Sequence, residues 1–141
     1  MAGGNGVRLR GRVPAALGFA VAAVATLGSL NYSLGMGLFP CRLCWYQRIL
    51  MYPLVVAFGY ALATGRRDFH LLVLPLSVPG VALAGYHSSL QVSESATCSF
   101  AGCGAIQFRL FGALTIPNQS LIAFLAVTAV GLAAWVRSRG D

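Results

Sequence analysis

The sequence predicts an all-α membrane protein: a four-helix transmembrane up-and-down bundle with both termini cytoplasmic. Three observations carry this. Hydrophobic residues make up 57% of the chain and charged residues only 9%, far from the balance of a water-soluble domain. Four apolar windows, at about 13–30, 45–63, 71–90 and 114–136, each approach the roughly 20 helical residues needed to cross a bilayer. The ten basic residues are all arginine, and seven of them sort to one side: Arg8, Arg10 and Arg12 before the first window, Arg66 and Arg67 between the second and third, Arg137 and Arg139 after the fourth. Arginine excess marks the cytoplasmic side, so the loops at about 31–44 and 91–113 should face outward, carrying Arg42, Arg109 and, at the margin of the second window, Arg48. Residues 1–141 then form a single integral membrane domain, with connections short enough to impose antiparallel neighbours.

Taken in chain order, the Gly-rich start reads as a loose cytoplasmic tail. The first window follows three arginines, as a secretory signal would, but its roughly 18 residues exceed the 7 to 15 of a signal peptide's apolar core, so it reads as a span. The second window opens on "PCRLCWYQRILMYPL", and Pro40 suits the first turn of a helix. The loop after it holds His70 among Arg66, Arg67 and Asp68, a solvated setting. The third window contains Pro75, Pro79 and Gly80, which should bend it, and membrane helices tolerate such residues where neighbours satisfy the freed carbonyls. The segment "QVSESATCSFAGCGAIQFRLFGA" is the one long polar stretch, so chemistry outside the membrane must use it. Small residues through the first, third and fourth windows favour close helix approach.

The four cysteines fall in two pairs, Cys41 with Cys44 and Cys98 with Cys103, both on the outer, oxidising side, where thiols persist as disulfides. A Cys41–Cys44 bridge closes too small a loop to add much chain-entropy stabilisation. At a helix N-terminus, amides and dipole favour the thiolate. Its value is therefore reactivity. Cys41 to Cys44 is i to i+3 and Cys44 to Arg48 is i to i+4, so the three share one helix face, with Arg48 about 6 Å deeper at roughly 1.5 Å per residue. A guanidinium just inside the apolar boundary is costly unless it snorkels or functions. It can stabilise the Cys44 thiolate and hydrogen-bond a carbonyl-bearing, lipid-soluble electron acceptor, for which a quinone fits. His87, beside Tyr86 near the outer end of the third window, offers a donor or proton shuttle to such a ligand, against the plainer reading of an interfacial aromatic pair. Gln47 is a further candidate for the same pocket.

With C-x-x-C-x-x-x-R ("CRLCWYQR") entering the second of four spans, a second cysteine pair in the last outer loop and "FGALTIPNQSLIAF" leading into the fourth, the chain resembles the DsbB family of bacterial disulfide bond formation proteins, in particular its shorter BdbC-like branch. The resemblance covers nearly the whole chain. It implies an enzyme of the bacterial cytoplasmic membrane, a quinone-dependent protein-dithiol oxidase. Such an enzyme reoxidises an exported thioredoxin-like thiol oxidase, DsbA- or BdbD-like, and passes the electrons to ubiquinone or menaquinone. By position, Cys98 would form the mixed disulfide with the partner and Cys103 would be its companion. The Cys41–Cys44 pair would reoxidise them, and Cys44 would stand next to the quinone with Arg48. Only four residues separate Cys98 from Cys103, where the longer branch inserts an extended segment, which leaves open which of the two meets the partner.

The vitamin K epoxide reductases share helix number and chemistry but place C-x-x-C after the loop pair, the reverse of the order here. A c-type haem site needs His after C-x-x-C, and Trp45 stands there. The net charge of +7 is spread along the chain rather than gathered in a patch, so it implies membrane lipid and no nucleic acid. Two other classes remain: a cysteine-based metal-ion carrier, which requires reduced thiols, and a structural membrane subunit held by inert bridges.

Overall fold

The computed structural model describes the backbone of residues 2–37, 42–66, 68–92, 109–110 and 114–140, and the side chains of 12–37, 42–66, 68–89 and 117–140. Four long helices dominate: α1 (Ala2–Leu30), α2 (Arg42–Thr64), α3 (His70–Val92) and α4 (Ile116–Gly140). Three of them, over Arg12–Gly35, His70–Ser89 and Pro117–Gly140, are long and apolar enough to cross a membrane. The chain is an all-α membrane protein.

Each helix packs on its neighbours in sequence, α1 closes the ring against α4, and the α2–α4 diagonal is slight. The pairings run antiparallel. Arg48 of α2 meets Ser29 of α1 while Phe58 meets Gly18; Gln47 meets His87 of α3 while Phe58 meets Phe69 at 5.6 Å between ring centroids. On α4, Phe124 meets Gly80 and Gly131 meets Leu74. This is the up-and-down order that short connections impose.

Bilayer hydrocarbon gives apolar side chains no reason to hide, so association rests on close packing. Two glycines supply it. The rings of Phe58 and Phe124, both fully buried, lie directly over Gly18 and Gly80, where any Cβ would displace them. Large side chains such as Val24 and Val56 instead stand more than 70% exposed, on the faces left to lipid. α3 runs unbroken through Pro75 and Pro79, and the ring of Phe124 fills the space that Gly80 leaves. The Gly-rich start is helical from Ala2 rather than a loose tail. Once the span nucleates a helix, each further residue adds a hydrogen bond for only its own ordering cost.

The helix ends follow from local chemistry. α1 widens into a π-helical turn at Asn31–Gly35, closed by Met36 N–H donating to the Asn31 carbonyl at 3.0 Å. Gly37 then stops the helix with φ +68°, a conformation that favours glycine. Gly65, at φ +72°, ends α2 in the same way, and its N–H reaches the Ala61 carbonyl at 2.8 Å. Beyond it Arg66 and Asp68 form an exposed ion pair at 2.8 Å. The sequence reads His70 as solvated there, but it opens α3 beside the core residues Phe69 and Val73 and is buried. Before α4, two short strands pair antiparallel, β1 (Arg109–Leu110) with β2 (Leu114–Thr115); β1 lies in the stretch that the sequence reads as loop, and β2 takes the first two residues of the fourth predicted window.

The helices carry two groups of polar residues to opposite ends. Arg12 lies beside Gly65, at the end that also carries Arg66, Arg137 and Arg139. Cys44, Gln47, Arg48, Ser29, Ser33 and His87 gather at the other.

Candidate functional site

Cys44 is the third residue of α2 and half-buried. Cys41, Cys98 and Cys103, and with them both expected cysteine pairings, lie outside the described residues. Arg48 follows Cys44 by one turn and does not extend towards water as a snorkelling side chain would. Its Nε donates to Ser29 Oγ at 2.9 Å, and its Nη2 donates to the Ser29 carbonyl at 2.9 Å and to Ser33 Oγ. The Ser29 carbonyl and the two serine hydroxyls thus supply the acceptors, and no carboxylate among the described residues lies against Arg48. Trp45, one turn back, places its ring 5.4 Å from the guanidinium carbon, within cation–π range.

Arginine carries five N–H donors. Three are engaged by Ser29 and Ser33, and the two on Nη1 make no hydrogen bond among the described residues. The guanidinium is thus fixed along one edge and retains donors on the other, a geometry suited to an oxygen-bearing ligand.

On the α3-facing side of α2, Gln47 and His87 form a buried pair, 4% and 2% exposed, with Gln47 Nε2 and His87 Nδ1 3.1 Å apart. The amide donates and Nδ1 accepts, which leaves the imidazole proton on Nε2. The two residues named separately from the sequence are therefore one unit, turned from Arg48 by the step of one residue around the helix. Tyr86 stands 45% exposed beside it, in the manner of interfacial aromatics, as do Trp45 and Tyr46. At the same end, Tyr32 in the π turn donates its hydroxyl to Gln119 Oε1 of α4 at 2.7 Å, tying the end of α1 to the start of α4.

Sequence reasoning alone does not mark Ser29 or Ser33. Their i to i+4 spacing near the end of a span was the available signal, and only the register of α1 against α2 turns it into a cradle for Arg48.

Residues 11–134 match the family model described as disulfide bond formation protein DsbB. A probable disulfide formation protein of Deinococcus radiodurans is 40% identical, with 87% of this chain and 88% of the relative covered. Disulfide bond formation protein C of Bacillus subtilis is 38% identical over 76% of this chain and 81% of the relative. A probable disulfide formation protein C of Bacillus cereus is 38% identical over 74% and 78%. No solved structure matches. With the family model spanning most of the chain and such relatives covering 74% of it or more, the chain belongs to the DsbB family of disulfide bond formation proteins.

Proposed function

We propose that this protein is a membrane thiol-disulfide oxidoreductase that reoxidises an exported thioredoxin-like thiol oxidase and passes the electrons to a membrane quinone. Its relatives' names support disulfide formation as the outcome. The observation that carries the quinone reading is the half-engaged Arg48, one helical turn from Cys44 and anchored by Ser29 and Ser33.

The reaction balances in three exchanges. The partner's two thiols reduce the Cys98–Cys103 disulfide and become a disulfide themselves. The resulting dithiol reduces Cys41–Cys44 in the same way. Cys41 and Cys44 then close again by releasing two electrons and two protons, and a bound quinone supplies the acceptor for both. Each exchange is attack by a thiolate on a disulfide sulfur, so the chain's task is to hold thiolates ready. Cys44 lies in the first turn of α2, where the helix dipole favours a thiolate, and Arg48 adds its charge one turn deeper. The Nη1 donors of Arg48 suit a quinone carbonyl, and the Gln47–His87 pair holds a proton at Nε2 beside the same helix.

The cysteine end faces outward in this reading and the arginine end faces the cytoplasm of a bacterial inner membrane, in keeping with the arginine distribution. The test uses purified protein with a reduced thioredoxin-like partner and quinone. Partner disulfide should form in step with quinone reduction, Cys44→Ser should abolish both, and Arg48→Ala should raise the KM for quinone at least tenfold. Full apparent affinity for quinone in Arg48→Ala would refute the assignment of the acceptor site.

A further inference from the structure

Arg48 is not the last polar group on its stripe of α2. The residues of α2 that meet α1 recur at helical spacing: Arg48 against Ser29, Phe58 against Gly18 and Gly59 against Phe19. Tyr52 follows Arg48 by four residues and precedes Gly59 by seven, so it lies on this stripe. On α1 the matching stripe runs through Phe19, Ala22, Thr26, Ser29 and Ser33, with Ala22 fully buried. The antiparallel register set by these contacts brings Tyr52 level with Ala25 and Thr26, one turn deeper in the same seam as Arg48.

Both hydroxyl groups are buried, and neither makes a hydrogen bond among the described residues. For a threonine in a helix the usual remedy is to bond back to the carbonyl four residues earlier, as Thr128 does to Phe124 at 2.7 Å. Thr26 does not. A phenylalanine and a valine would fill the same volumes without burying an unsatisfied group, and in hydrocarbon no water compensates it. Two orphaned hydroxyls on facing stripes, beneath a guanidinium with two donors unused among the described residues, therefore point to a ligand that bonds to both levels.

We propose that Tyr52, with Thr26 opposite it, is the distal binding group for the electron acceptor, meeting one of its oxygens while Arg48 Nη1 meets the other. The four-residue step from Arg48 to Tyr52 is a backbone rise of about 6 Å, which puts the two groups on successive levels of one seam. The arrangement selects dicarbonyl rings over lipids with a single carbonyl. It rests on the reading of Arg48 as the acceptor site, and the Tyr52 and Thr26 hydroxyls are an addition to that reading.

The experiment is equilibrium binding of a short-chain benzoquinone to the purified full-length protein in detergent, followed by quenching of the fluorescence of Trp45, which adjoins Arg48. Tyr52→Phe should weaken binding about five- to tenfold and Thr26→Val about threefold, the loss of a hydrogen bond apiece. The melting temperature of the ligand-free protein should stay unchanged or rise, because each variant deletes an unsatisfied buried group. Unchanged affinity in Tyr52→Phe, with Arg48→Ala still weakened, would overturn the distal site and leave the proximal one standing. A lowered ligand-free melting temperature with unchanged affinity would make the hydroxyl structural and overturn it too. If Arg48→Ala bound as tightly as the parent while Tyr52→Phe did not, the underlying reading of Arg48 would be the one to fail.

Discussion

Arg48 is fixed by two serines of another helix, and its usefulness depends on them. A guanidinium clamped through Nε and Nη2 presents Nη1 in one orientation, whereas a loose one would spend rotamer entropy on every binding event. Replacing Ser29 and Ser33 together by alanine removes both hydroxyl acceptors and leaves the charge in place. Quinone affinity, read by tryptophan quenching, should then fall about threefold to tenfold, less than in Arg48→Ala. The Gln47–His87 bond invites a different experiment. Gln47→Leu deprives a buried imidazole nitrogen of its Gln47 donor, so the variant should lose about 1 to 3 kcal/mol of stability in detergent unfolding; an unchanged unfolding midpoint would remove the bond from the structure's support. Arg48 was legible in the sequence because a charge within an apolar run has few explanations. The Gln47–His87 pairing was not, because it joins residues 40 positions apart and needs the register of α2 against α3, which no local pattern encodes.

Between helices, the two glycine–phenylalanine contacts set how closely the bundle closes. Because Gly18 and Gly80 each lie under an aromatic ring with no room for a Cβ, Gly80→Ala should destabilise the α3–α4 pair by about 1 to 3 kcal/mol through overpacking. The double variant Gly80→Ala with Phe124→Leu should recover part of that, measured as the melting temperature in detergent. Failure of the second change to rescue would mean that the ring is not what the methyl meets. The sequence marks Gly80 as a point of weakness beside Pro79, where a bend is the local expectation. The ring of Phe124 lies over Gly80, a long-range contact that local composition does not contain. The α2–α3 turn was more readable, since Gly65 and the charges after it are turn chemistry. There the hydrogen bond from Arg66 holds the Asp68 carboxyl below its ordinary range. A carboxylate with a depressed folded-state pKa contributes stability above its unfolded value, and that contribution disappears as pH falls through the folded one. Both partners stand about half exposed, at 56% and 47%, so solvent screens the pair. Asp68→Asn should therefore leave the melting temperature at pH 7 within error of the parent.

At the scale of the whole molecule, what matters is that the candidate site and four of the described arginines occupy opposite ends. Arg12, Arg66, Arg137 and Arg139 lie at one end, and Cys44 with its neighbours lies at the other, so a single orientation in the bilayer satisfies both the retention of arginine on the cytoplasmic side and the need of a disulfide relay for an oxidising compartment. The gathering of arginines at one end was legible because the loops are short enough for each arginine to act as a signal. The closure of the ring was not, since the contact of α1 with α4, including Tyr32 on Gln119, joins the first and last elements of the chain. Orientation can be tested without touching the site. In a background with all four native cysteines changed to serine, Met36→Cys places a thiol at the cysteine end, where Met36 is 47% exposed, and Ser138→Cys places one at the exposed far end of α4. A membrane-impermeant thiol reagent applied to intact cells should label Met36→Cys and reach Ser138→Cys only after permeabilisation. The opposite pattern would put the sulfur chemistry in the reducing cytoplasm, where the Cys41–Cys44 pair would be held as thiols and could not accept electrons from any exported partner.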